Sequence, residues 1–320
     1  MHSEKPTKPS GGGVRAVIEL MRPGHWVKNI IVLFPVVFAK QVGQGRAWLL
    51  ACLATAAFCL ASSAAYILND ICDRDRDRRH PRKSGRPLAS GRISAVAAGI
   101  EAVLLAAAAV GVALSVNLVG GRVNFMVFFA VLAYLVLQVA YSAVLKSKML
   151  LDVICIALGF VLRAVAGAVA IPVEVSPWLF VCTFTICLFM GFCKRYSEMI
   201  AMPDRTEARE HRLTLAGYTP ELLTHLVTLS GSVAVVGFLV YAMSPLTVGR
   251  FGTDYLVYTS PLVVYGIFRF AMLSMKGVYS DPAELVLRDR PFQLACVLWI
   301  IAAAVVIQWG VALQEWLARH

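Results

Sequence analysis

The chain is 320 residues long, 59% hydrophobic and only 15% charged, with a formal net charge of +11 and a mean hydropathy of +0.71. Soluble globular proteins carry roughly a quarter charged residues, so the composition excludes a soluble domain. The expected surroundings are a bilayer, not nucleic acid.

Residues 1–13, "MHSEKPTKPSGGG", are polar and rich in Gly and Pro, with no signal-peptide organisation. They are expected to form a disordered tail ahead of a single membrane domain over 14–320. Apolar windows bounded by Pro, Gly or charge predict nine helices, at 27–42, 47–68, 94–118, 122–143, 149–171, 177–197, 220–243, 254–275 and 292–314. The first is short for a span. The expected fold class is therefore all-α: a multi-pass bundle of about nine transmembrane helices around a central cavity with a cytoplasmic cap. Of the 30 Lys and Arg residues, 24 fall on the side shared by the N-terminus and the long loops, and 5 on the other. The positive-inside rule places the former side in the cytoplasm. The eight cysteines lie mostly inside apolar runs without CxxC pairs and are expected to be reduced, small core residues. The six histidines show no paired ligand spacing, which argues against zinc.

The second predicted helix runs into "NDICDRDRDRRHPRKSGRPLASG". Continued past Leu68 at about 100° per residue, the helix brings Asp70, Asp73 and Asp77 within about 60° of one another and turns Asp75 away. Asn69 adjoins them and offers an amide oxygen. Oxygen ligands without His or Cys favour a hard ion, and a few carboxylates with open positions suit Mg²⁺ shared with substrate phosphates. The alternative is a solvated cap in which these aspartates pair with Arg74, Arg76, Arg78 and Arg79.

"NDICDRDRD" resembles the NDxxDxxxD motif of the UbiA superfamily of intramembrane prenyltransferases, and "RPLASG" is similar to its usual continuation. The resemblance extends over essentially the whole chain from Arg22. It implies a membrane transferase in which Asn69, Asp70, Asp73 and Asp77 hold Mg²⁺, with Asp70, Asp73 and Asp77 serving catalysis. The superfamily's second acidic motif is expected on the sixth helix, where this chain reads "GFCKRYSEM" and offers Lys194, Arg195 and Glu198. Lys and Arg contact phosphate oxygens directly, without a bridging metal.

Other segments on the same side repeat the theme. "RPGHWVKN" offers Arg22, Lys28 and Asn29; the stretch after the aspartates offers Arg86; "YSAVLKSKMLLD" offers Tyr141, Lys146 and Asp152; "SDPAELVLRDRP" offers Asp281, Glu284, Arg288 and Arg290. The candidate substrate-binding set is Arg22, Lys28, Asn29, Arg86, Tyr141, Lys146, Lys194, Arg195 and Glu198. These departures are similar to the phosphoribosyl-transferring branch of the superfamily. The implied partners are phosphoribosyl diphosphate and a polyprenyl (decaprenyl-like) phosphate, in a bacterial plasma membrane with the site facing the cytoplasm and the product feeding the cell envelope. Three anionic groups on two substrates need more cations than one diphosphate does. The rivals are an aromatic prenyltransferase using polyprenyl diphosphate, and a membrane transporter whose charged loops only set topology. Arg163, inside a span, is either functional or paired structurally with a helix-end carbonyl.

Overall fold

The computed structural model describes residues 13–79, 83–120, 125–171, 173, 176–201, 215–279 and 282–318. Of the expected tail only Gly13 is among them, and Asp281 lies outside them. In chain order the elements are α1 (Gly13–Met21), a 3-10 stretch (Pro23–Leu33) continued by α2 (Phe34–Phe38), α3 (Gly45–Arg79), α4 (Ala95–Gly120), α5 (Met126–Ala143), α6 (Leu151–Ala170), α7 (Pro177–Ile200), α8 (Pro220–Met243), α9 (Pro245–Phe251), a 3-10 turn (Tyr255–Thr259) leading into α10 (Ser260–Met275), α11 (Pro282–Arg288) and α12 (Arg290–Ala318). Among the described residues there is no strand, and eight helical segments are long and apolar enough to cross a membrane. The protein is a multi-pass membrane protein.

The predicted first helix, 27–42, needs correction. Its residues form the 3-10 stretch and the five-residue α2, which starts anew at Phe34, with Pro35 in its first turn, and ends at Phe38. Matching contacts along α3 explain the tighter winding. Arg22 reaches Asp70, Trp26 donates to Ser63 Oγ, and Asn29 donates to Ser62 Oγ and Cys59 Sγ, so the segment runs antiparallel to α3 and must keep pace with it. At about 2.0 Å per residue, against 1.5 Å in an α-helix, these sixteen residues extend about 30 Å, the thickness of the hydrocarbon core.

One glycine makes this packing possible. A Cβ on Gly167 of α6 would stand 2.0 Å from the Val32 carbonyl oxygen, and backbone cannot yield as a side-chain tip does. Gly167→Ala is expected to destabilise the fold by about 1–3 kcal/mol or more through overpacking. Thermal unfolding of the detergent-solubilised variant checks this, and an unchanged melting temperature would rule the close approach out.

Below this contact Arg163 settles into the bundle interior. Its Nε donates to Asn29 Oδ1 at 2.7 Å, Nη2 to Tyr134 Oη at 2.8 Å and Nη1 to the Gly159 carbonyl at 3.0 Å. Its hydrogen-bond partners are all neutral acceptors, so of the two readings of this arginine the structural one describes its contacts, with side chains of two neighbouring segments and a carbonyl within its own helix in place of a helix-end carbonyl. It ties the first crossing, α5 and α6 together.

Helix starts are written in short dipeptides. Ser176, Thr219 and Ser244 each cap the helix that follows, their side chains accepting from Trp178, Leu222 and Thr247 N–H groups, and each is followed by Pro at the first helical position. Apolar packing divides into two main clusters, one around α3, α4, α5 and the first crossing, the other around α7, α8 and α10. A smaller cluster seats Leu20 of α1 against Ile67, Leu88 and Ile93, and Glu19 on the same helix pairs with Arg92 at 2.9 and 3.0 Å. All eight cysteines are free. Cys155 and Cys193 are buried as expected, whereas Cys52 and Cys72 are exposed, because they fall on outward faces of α3.

Candidate active site at the aspartate end of the bundle

Helix α3 continues eleven residues beyond the predicted end at Leu68, carrying the whole aspartate motif on an α-helical lattice. The expected face follows. Asp70 and Asp77 are buried, each 3% exposed, Asp73 is half-buried, and the Asp75 side chain is 87% exposed. Burying three carboxylates along one helix face is tolerable only with cations beside them.

Those cations arrive from three separate segments. Arg22 Nη2 lies 2.5 Å from Asp70 Oδ1; Arg86 Nη1 lies 3.2 Å from the same oxygen and 2.6 Å from Asp77 Oδ2; Lys146 Nζ lies 2.8 Å from Asp73 Oδ1 and 3.3 Å from Asn69 Oδ1. Lys83 adds a looser contact to Asp77 at 4.0 Å. The local cap also exists, as Arg76–Asp73 at 3.7 Å and Arg78–Asp75 at 3.6 Å. It occupies the more exposed side, while the buried side recruits residues far away in sequence. A simple solvated cap would not do this.

Two of these cations are delivered by strained backbone. Arg22 adopts the left-handed conformation (φ 51°, ψ 60°) directly before Pro23, a combination disfavoured for any side-chain-bearing residue. Lys146 precedes Leu150, whose φ of 67° and ψ of −46°, with the Leu151 N–H donating to the Met149 carbonyl at 2.8 Å, describe the rare γ-turn. Strain of this kind costs on the order of 1–3 kcal/mol per residue and persists where surrounding contacts enforce it.

The remaining candidates separate into groups. Asn29 differs from expectation: it is fully buried and bonded to Arg163, Ser62 and Cys59, inside the bundle rather than at its mouth. Arg195 differs too. It is 1% exposed, and its guanidinium is held between Glu198 and Asp152, with Nε 2.9 Å from Asp152 Oδ2. That contact is Coulombic, because the N–H does not point along the line to the oxygen. Tyr141 lies within electrostatic reach of Arg195; Lys194, next to it, is half-buried, and Lys28 is exposed. Asp289 pairs with Arg269 at 2.6 and 2.9 Å and caps α12 through the Phe292 N–H, a contact that joins two helices.

One residue escaped the sequence reading. Tyr218 Oη accepts from the Leu150 N–H at 2.8 Å and donates to Asp152 Oδ1 at 3.4 Å. Burial first, and then the Asp152 charge, push its phenol up to about 12, so it stays a donor. "GYTP" marks a helix start, but nothing local in it announces a partner 66 residues away.

The donor set fits a hard divalent cation. It consists of carboxylate and amide oxygens, and Arg86 Nη1 already stands between Asp70 and Asp77, so that pair accommodates positive charge between its oxygens. Among the described residues no three acidic, His or Cys groups form a ready metal cluster, because Asp73 turns towards Lys146. Away from the aspartates, a mostly apolar cavity of about 280 Å³ opens between the first crossing, α6, α7, α8 and α12, lined among others by Phe34, Ala168, Leu179 and Trp299.

Sequence comparison gives this geometry its class. Residues 30–297 match the UbiA prenyltransferase family, and the chain belongs to that family. It is 32% identical to the decaprenyl-phosphate phosphoribosyltransferase of Mycolicibacterium smegmatis, over 95% of this chain and 98% of that protein. It is 29% identical to the protein of the same name from Corynebacterium glutamicum, over 96% and 91%. Among solved structures, a UbiA homolog from Archaeoglobus fulgidus bound to GPP and Mg²⁺ aligns with a TM-score of 0.67 at 21% identity, covering 91% of this chain and 99% of that one. That likeness establishes a shared fold.

Proposed function

We propose that this chain is a polyprenyl-phosphate phosphoribosyltransferase, moving 5-phosphoribose from 5-phosphoribosyl 1-diphosphate to a polyprenyl phosphate and releasing diphosphate. One observation carries the reading: the three aspartates of a single helix face meet Arg22, Arg86 and Lys146 from three other segments, a density of cations suited to several phosphates at once. The names of the two near-full-length relatives supply the substrate class.

Asp70, Asp73 and Asp77, with Asn69, are the residues that would hold Mg²⁺. When bound, the ion supplies charge neutralisation for the departing diphosphate. Arg22, Arg86 and Lys146 exchange carboxylate for phosphate oxygens and orient the donor so that its C1 faces the acceptor. An oxygen of the lipid phosphate forms a bond to C1 as the C1–O bond to diphosphate breaks, and the electron pair leaves with diphosphate. The acceptor oxygen is already anionic near neutral pH, so no general base is required. The apolar cavity takes the polyprenyl tail, and the aspartate end faces the cytoplasm of a bacterial plasma membrane.

Purified protein incubated with Mg²⁺, radiolabelled phosphoribosyl diphosphate and polyprenyl phosphate is expected to yield labelled lipid. No labelled lipid, together with product from prenyl diphosphate and an aromatic acid, would overturn the reading in favour of aromatic prenylation.

A further inference from the structure

We infer that Tyr218 is a positioning residue for the donor site: backed by Asp152 and Arg195, it clamps the γ-turn at Leu150 and so fixes where Lys146 stands against the aspartate motif. The inference rests on the phosphoribosyl-transfer reading only for what Lys146 binds. The clamp itself stands on contacts.

The loop between α5 and α6 is tied at both ends. At one end Lys146 Nζ reaches Asp73 and Asn69 on α3. At the other, the Leu150 N–H donates to Tyr218 Oη. Between them the chain has little room to slip, since Ser147 and Lys148 N–H groups bond back to Val144 and Leu145 and the Asp152 N–H bonds to Lys148. Met149 packs on Gly217, where a Cβ would stand 3.0 Å from its Sδ.

Leucine does not hold a positive φ unaided, so something must enforce it. The Leu150 carbonyl accepts from the Val153 and Ile154 N–H groups and the leucine side chain packs on the second apolar cluster, while the Leu150 N–H is held by Tyr218, which faces the turn with its oxygen and is itself held by Asp152. Asp152 is fully buried, and Arg195 beyond it is 1% exposed and further paired with Glu198. A buried ion pair is an expensive way to gain stability alone, since apolar residues of similar volume serve as well or better. Here its end product is a defined position for one lysine. Asp152, Arg195 and Glu198 thereby act on the aspartates through the loop, from the other half of the bundle.

The test is a set of variants in the full-length detergent-solubilised protein. Tyr218→Phe removes the oxygen and is expected to raise the KM for phosphoribosyl diphosphate about tenfold or more, with kcat within about threefold. Adding Leu150→Gly, which takes positive φ without strain, is expected to return KM to within about threefold of the original. In a Lys146→Met background, Tyr218→Phe is expected to add nothing further. Hydrogen exchange of the 144–152 peptide, measured without substrates, is expected to quicken about tenfold in Tyr218→Phe. An undiminished Tyr218 effect in the Lys146→Met background, or unchanged exchange in Tyr218→Phe, overturns the clamp. Absence of labelled lipid from the unmodified protein would instead sink the activity reading, while the exchange data still decide the clamp. Should Tyr218→Phe fail to fold, Leu150→Gly alone serves: KM within about threefold supports a turn set from outside, and a tenfold rise overturns it.

Discussion

Asp73→Ala is expected to lower kcat/KM for phosphoribosyl transfer by at least about 10²–10³-fold, the scale seen when one charge-stabilising group is removed from a reacting centre, while leaving the fold intact. Of the three aspartates on the face it is the least buried, and its partners Lys146 and Arg76 both reach solvent. Its loss therefore strands no buried charge. Asp70→Ala would confound the result, because two guanidiniums converge on that carboxylate and removing one partner of a buried pair costs about 3–5 kcal/mol in stability. The labelled-lipid assay across a Mg²⁺ titration, with a melting curve alongside, separates the two effects. Activity within about threefold of the unmodified protein would remove Asp73 from the site.

Arg86→Met is expected to act in two opposite directions. Its Nη1 lies between Asp70 and Asp77, where it both neutralises two carboxylates and stands ready for a phosphate. Without it the donor loses a charged hydrogen bond worth about 1.5–3 kcal/mol, which raises KM by about 10–100-fold. The two carboxylates, now less compensated, should bind a divalent cation more tightly before any donor arrives. Mn²⁺ titration followed by electron paramagnetic resonance reads this directly. Asp70 keeps Arg22 and Asp77 keeps Lys83, so the variant should still fold. Weaker Mn²⁺ binding than in the unmodified protein would show that Arg86 supports the metal site instead of competing with it.

How much of this was legible beforehand depends on the range of the interaction. The aspartate face was, because α3 continues as a regular helix and angular spacing alone separates Asp70, Asp73 and Asp77 from Asp75. Span positions from 94 onward were also close, since each is a long apolar run between Pro, Gly or charge. The first crossing was not, because 3-10 winding answers to contacts with Ser62, Ser63 and Gly167, which no local pattern reveals. Nor was the difference between Lys146 and Arg195. Both are basic residues at the same end of the bundle, yet one meets a half-buried aspartate at the mouth and the other is sealed between Asp152 and Glu198. Burial decides which of them a phosphate can reach, and burial is a property of the assembled halves.

The small helix α1 bears on how the protein should be handled. Its Glu19 grips Arg92, and Arg92 in turn donates to the Gly85 carbonyl at 2.8 Å, next to Arg86. The loop carrying Arg86 is therefore braced from the N-terminal side by an element outside the spans. Trimming α1 would leave insertion into the bilayer untouched and loosen the grip on phosphate, so a shortened version that reaches the membrane but turns over poorly would be reporting a missing brace rather than a misfolded bundle.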